Sequence, residues 1–187
     1  MRLRREVLMN VETRRLVLRA VEPSDARFLA DLVNDPETRS VLGAYDLVYP
    51  MSVDLEERWI DSVSKKDEAH MIVTMKSSSS PLGILSVKNV NKRNRSAHIS
   101  IILQRKVWNK GYGTEAVLGV LDFLFDRMNM HRVWLRVAER NERALACYRK
   151  CGFRTEGLLR EDHFAGDEWR SSLVMSVLED DLRRKRR

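Results

Sequence analysis

Much that would point to a familiar chemistry is missing from this sequence. There are two cysteines, Cys147 and Cys151, four residues apart on an expected helix. Two thiols at that spacing build no disulfide framework, and no neighbouring pair completes a four-ligand zinc site. Reduced thiols, a cytoplasmic location and no metal are therefore expected. No run of about 18 apolar residues occurs. The opening MRLRREVLMN holds no apolar stretch of signal-peptide length, so neither a membrane partner nor secretion is expected. Four prolines and eight glycines are too few to mark a linker, and no internal repeat is visible.

Acidic residues fall short of basic ones, 27 against 34, which leaves a net charge of +7. Five of the positive charges are Arg183, Arg184, Lys185, Arg186 and Arg187, so the rest of the chain carries +2. A short basic tail is usually just solvated, and specific nucleic-acid binding is not expected. Hydrophobic residues at 43% and charged residues at 33% give a globular balance. The length suits one domain, expected over 13–181, between a basic N-terminal extension at 1–12 and a basic C-terminal tail at 182–187.

Along the chain, period-two and helical-period patterns alternate. TRRLVLRAVE reads as an opening strand, SDARFLADLVND as a helix stopped by Pro36, and a second helix is expected from about Val53 behind a Ser52 cap. AHMIVTMK, LGILSVKNV and SAHISIIL read as three strands whose short polar separators make them antiparallel neighbours. A helix from about Gly113 to Arg127, the strand HRVWLRVA, a helix capped by Asn141 and ended by Gly152, and a hairpin around Ala165, Gly166 and Asp167 complete the order. The fold class is α+β, with a mixed, mostly antiparallel central sheet flanked by helices.

The stretch VWNKGYGTEAVLGVLDFLFD, beginning at Val107, departs from ordinary helix openings. A helix usually starts behind a Ser, Asp or Asn cap and carries acids in its first turn; here only Glu115 keeps that habit. Gly111 and Gly113 let the backbone approach a partner closely, and uncapped amides from about Asn109 to Thr114 favour an anion such as a pyrophosphate. The pattern lacks the third glycine of the dinucleotide fingerprint and the Lys-Ser or Lys-Thr of the triphosphate loop. A tight strand-to-helix connection with no ligand also explains the glycine pair.

Four ordered stretches, VWNKGYGTEAV, NMHRVWLRV, ERNERALACYRKCGF and TEGLLRE, together resemble the acetyl-CoA-dependent N-acetyltransferase superfamily (GNAT), in its RimJ/RimL-like branch. The similarity is collinear from about Arg14 to Leu178. Gly111 and Gly113 match the superfamily's glycine signature, while Trp108 takes its first position, a form common in that branch. The resemblance implies a GNAT-like fold whose splayed strands form the acetyl-CoA cleft. It implies that amides of Asn109, Lys110, Gly111, Tyr112, Gly113 and Thr114 hold the pyrophosphate and that Asn141 contacts the pantetheine arm. It further implies that Tyr148 faces the departing thiol as general acid, and that an amide among Ile101, Ile102 and Leu103 polarises the thioester carbonyl.

Read without the resemblance, Asn141 is a helix cap and Tyr148 a half-buried aromatic. His98 stands where many relatives carry Glu; its imidazole suits a general base acting directly or through water, and equally a polar residue on a solvated face. Cys147 precedes Tyr148, but adjacent helical side chains point about 100° apart. Direct transfer in a ternary complex is therefore expected rather than an acyl-enzyme on Cys147.

The expected acceptor is a peptide or protein N-terminus, of the ribosomal-protein kind, which the basic tail suits. The alternative is a polyamine or another small amine, since the chain also resembles spermidine acetyltransferases from RSAHISI onward. A polyamine site should present several carboxylates; 42–50 holds only Asp46, and Glu56, Glu57 and Asp61 suit an ordinary solvated helix face. A non-catalytic CoA- or RNA-binding module is a different class, opposed by Tyr148 and Asn141. A homodimer is among the assemblies that the resemblance allows.

Overall fold

The computed structural model describes residues 10–42, 49–63, 68–165 and 167–185. The apolar, alternating stretches form β1 (Val11–Glu12), β2 (Leu16–Ala20), β3 (Ala69–Met75), β4 (Pro81–Asn91), β5 (Ser96–Leu103), β6 (Arg132–Ala138), β7 (Arg154–Ala165) and β8 (Glu168–Leu178). They make one eight-stranded sheet in the order β1-β2-β3-β4-β5-β6-β8-β7. Every neighbouring pair is antiparallel except β5 with β6.

That exception opens a cleft. β5 and β6 pair only at Ser96 with Arg132, Ala97 with Val133 and His98 with Trp134. Beyond His98, β5 stays on β4, with Ile99 opposite Val87 and Leu103 opposite Gly83. β6 meanwhile stays on β8, with Leu135 opposite Met175 and Ala138 opposite Ser172. Each strand is held on its outer side only, so the two diverge and leave inner edges with hydrogen-bonding capacity for a ligand.

Helices cover both faces of the sheet. α4 (Tyr112–Asp122), continued by a π-helical turn over Phe123–Arg127, and α5 (Glu142–Lys150) close the larger core. There Val117, Val120, Leu121 and Leu124 share one buried cluster with Leu16, Leu18, Leu85, Leu135 and Met175. On the opposite face, α1 (Ala26–Asn34) and α3 (Val53–Val63) bring Leu29, Leu32 and Ile60 onto Ile72 and Ile84. Alternation along β3 and β4 sends Ile72 and Ile84 to one core and Val73 and Leu85 to the other. The expected Ser52 cap is present, its hydroxyl accepting from the Leu55 N–H at 3.2 Å.

Three features depart from the sequence reading. Pro36 opens a helix instead of merely stopping one: α2 (Pro36–Leu42) begins there, and Asp35 accepts from the Thr38 N–H at 2.8 Å as its cap. Proline's fixed φ and missing donor suit the first helical position. The tail expected from 182 begins inside α6 (Glu179–Lys185), whose Leu182 is buried. The extension expected over 1–12 ends in β1, with Val11 in the larger core. Asp46 and the hairpin residue Gly166 lie outside the described residues.

Candidate functional site

The chain passes from β5 into α4 through a turn that twice takes left-handed φ, at Asn109 (+58°) and Gly111 (+79°). Glycine adopts this conformation without steric cost, and main chain folded this way turns successive N–H groups into an anion-binding concavity. No side chain caps α4. Glu115, the one acid of the first turn, is committed elsewhere: it accepts from the Thr13 hydroxyl at 2.7 Å, the Arg15 main-chain N–H at 2.7 Å and Arg15 Nε at 2.6 Å. Burial pushes this carboxyl up, but the hydrogen bonds outweigh burial and leave it below its ordinary pKa. The first amides of α4 therefore remain available to an external anion.

Two braces fix this nest. Arg15 donates to the Lys110 carbonyl at 3.2 Å and lies 4.3 Å over the Tyr112 ring. Trp108 Nε1 donates to the Leu103 carbonyl at 2.7 Å, and the Arg143 guanidinium stacks 3.2 Å over the Trp108 ring. The end of β5, the nest and the start of α5 are thus tied together.

α5 supplies the facing wall. Asn141 Oδ1 accepts from the Ala144 N–H at 3.1 Å, so the cap uses the carbonyl and leaves the side-chain NH2 to donate. At the other end, Gly152 at φ +95° donates to the Arg149 carbonyl at 3.1 Å and Phe153 donates to the Tyr148 carbonyl at 3.0 Å. This is a Schellman closure, and it brings the Phe153 ring 5.7 Å from the Tyr148 ring. The stop signal at Gly152 thereby also positions Tyr148. Burial, with the neighbouring thiols of Cys147 and Cys151, pushes the Tyr148 phenol well above its ordinary pKa. The hydroxyl keeps its proton throughout the neutral range.

Between these walls lies a cavity of about 760 Å³. His98, Ile101, Ile102, Leu103, Asn109, Gly111, Gly113, Thr114, Asn141 and Tyr148, all candidates from the sequence, line it together. Lys110 and Tyr112 do not line it; Arg15 holds the Lys110 carbonyl and covers the Tyr112 ring. Cys147 also lines the cavity, at a different place from Tyr148. The cavity wraps around α5, so neighbours on the helix reach it at different places. Cys147 Sγ lies 3.4 Å from the Thr114 hydroxyl, beside the nest, and hydrogen bonding with Cys151 lowers its pKa.

His98 sits where β5 and β6 part, its ring 4.6 Å from that of Trp134 and its Nδ1 buried without a hydrogen-bond partner. The position is not a solvated face. Burial, with Lys88 and Arg136 nearby, pushes the imidazole down to about 4, so it is neutral at pH 7. Lys88 is the cross-strand partner of His98 and precedes a bulge in β4 where Asn89 takes φ +50°. Arg136 forms an ion pair with Asp162.

Lys88, Arg136, Arg143 and Lys150 also line the cavity, and sequence reasoning missed all four. On their own elements they read as ordinary polar positions. The one available signal was Trp108, whose exposed-looking indole needed a partner such as Arg143.

The acetyltransferase (GNAT) domain family matches residues 15–154. The spermidine N(1)-acetyltransferase of Vibrio cholerae serotype O1 is 29% identical over 164 residues, covering 88% of this chain and 93% of its own. The crystal structure of spermidine N-acetyltransferase from Vibrio cholerae in complex with CoA and spermine aligns with a TM-score of 0.81 at 28% identity, over 89% of this chain and 97% of that one. The ribosomal-type N-acetyltransferase YdaF of Bacillus subtilis is 24% identical over 166 residues, covering 87% of this chain and 91% of its own.

Proposed function

The chain belongs to the acetyltransferase (GNAT) domain family, and on that premise we propose that its cleft holds acetyl-CoA and a primary amine together and passes the acetyl group directly from one to the other. The observation that carries this reading is the uncapped start of α4 at left-handed Gly111, opening onto the gap between β5 and β6. Amides from Asn109 to Thr114 take the pyrophosphate, with Arg143 and Lys150 adding charge from α5. The free NH2 of Asn141 donates to a pantetheine carbonyl. An amide in Ile101 to Leu103 hydrogen-bonds the thioester oxygen as charge develops there.

The amine must attack in its neutral form. An alkylammonium has a pKa of about 10, roughly six units above that of His98, so the imidazole is too weak a base to hold its proton. His98 instead accepts a hydrogen bond from the neutral amine and orients it. The cations that depress His98 also depress an ammonium placed beside it, which favours loss of its proton to solvent before attack. As the C–N bond forms and the C–S bond breaks, Tyr148 gives its proton to the departing sulfur, and the proton shed by the acylated nitrogen restores the phenol through water.

Two acceptor classes remain to be separated. The names of the Vibrio cholerae relatives support a polyamine over the protein N-terminus first expected from the sequence. One feature of this chain favours an α-amino acceptor: the described residues lining the cavity include four cations and no carboxylate. The test is release of CoA thiol with spermidine, spermine and peptides that begin with free Ser, Ala or Met. Turnover with the polyamines alone assigns the first class, and turnover with the peptides alone the second. A stable acetyl group on Cys147 during turnover, seen by mass spectrometry, would contradict direct transfer.

A further inference from the structure

The cations of the cavity fall into two sets with different surroundings. Arg143 and Lys150 stand on α5, at the wall that faces the nest, where the proposed function puts the coenzyme's pyrophosphate. Lys88 and Arg136 flank His98, on the side where the amine is acetylated. Arg136 is answered by Asp162. Lys88 forms no ion pair among the described residues, although it lines the cavity and lies directly across from His98. The carboxylates around it are engaged elsewhere: Glu68, which the β3–β4 register carries toward Lys88, contacts His70, Glu37 pairs with Arg105 and Asp162 with Arg136, and none of the three lines the cavity. A bulge follows Lys88 in β4, a feature often found beside functional sites.

Residues directly opposite on an antiparallel pair have Cβ atoms about 5 Å apart. We infer that the acceptor carries an anionic group, such as a carboxylate, a few bonds from the amine that is acetylated, and that Lys88 receives this group while His98 receives the amine. The inference rests on the acetyl-transfer reading and narrows its acceptor. A polycation bound here sets a second ammonium against Lys88 with no described carboxylate to offset the repulsion. An amine joined to an anion pairs with Lys88 instead, and both a short amino acid and an acidic peptide terminus have that chemistry.

The test measures binding without relying on turnover. Three conjugates join CoA sulfur through an acetamide linker to four-carbon amines that end in a carboxylate, a hydroxyl or an ammonium. Calorimetry on the full-length chain compares them with free CoA. The carboxylate conjugate is expected to bind about tenfold tighter than the ammonium conjugate, the hydroxyl lying between. Lys88→Glu should reverse the order, Lys88→Arg should keep it, and all three proteins should bind free CoA equally. A fourth conjugate, built on a peptide beginning Ser-Asp, separates the two sources: a further gain assigns a peptide terminus and no gain a small acid. Equal or tighter binding of the ammonium conjugate overturns the inference, as does an order that Lys88→Glu leaves unchanged. Failure of free CoA to bind would instead overturn the acetyl-transfer reading beneath it.

Discussion

At the α4 end of the cleft the chain offers main chain: left-handed Asn109 and Gly111, an uncapped helix start, and a carboxylate, Glu115, turned away to brace the turn. At the His98 end it offers side chains, with His98, Lys88 and Arg136 set by strand register and a bulge. The first end depends on backbone conformation, so many side chains in it are replaceable. The second depends on which side chain stands at each position and on what it faces. The contrast separates a site built from main-chain conformation from one built from a pattern of side-chain charge.

Tyr148 gives the largest effect expected. Removing one oxygen in Tyr148→Phe should lower kcat by about 100-fold or more, the usual scale for a general acid, with acetyl-CoA affinity kept within about twofold. Steady-state kinetics and calorimetry check the two halves; a full kcat would show that the sulfur leaves without this phenol.

The next effect belongs to the main-chain end. Gly111→Val places a β-branched residue at φ +79°, which costs about 1–3 kcal/mol in strain. Acetyl-CoA affinity should fall about tenfold. Thr114→Ala keeps the amide and should change affinity by less than about threefold. If Thr114→Ala proves the more damaging, the nest works through side chains and the contrast fails.

Glu115→Ala tests the brace. It removes three hydrogen bonds at a partly buried carboxylate and should cost about 1–3 kcal/mol in denaturant unfolding. Weaker coenzyme binding should accompany the loss, because the first turn of α4 is no longer held to Thr13 and Arg15.

His98 gives the smallest effect and a pH signature. Its folded pKa of about 4 lies below the unfolded value of about 6.5, so between the two the unfolded chain binds more protons. Stability should be fully present above pH 6.5 and decline as pH falls toward 4. In denaturant titrations from pH 4 to 7, His98→Gln should flatten that slope. The acid limb of activity should follow loss of the acceptor ammonium's proton, well above the pKa of His98.

The two ends also differ in how far they could be read from sequence. Gly111, Asn141 and Gly152 announce themselves because a backbone conformation or an unpaired helix end restricts the residue type. The same local logic located the three antiparallel strands and the hairpin. It failed at Pro36, since proline follows one helix and opens another, and the Asp35 cap decides between the two roles. Lys88 and Arg143 were unreadable for a different reason. Their meaning comes from His98 across a strand pair and from Trp108 across the cleft, and no local pattern in the sequence carries such distant partners.

The central claim is that main-chain amides at the start of α4 hold the coenzyme. Amide proton and nitrogen shifts of the isotope-labelled chain, recorded while acetyl-CoA is added, test it most directly. The account predicts saturable downfield movement of the amide protons of Gly111, Gly113 and Thr114, with no comparable change in the hairpin of β7 and β8. Saturable binding that leaves those three amides unmoved would contradict it.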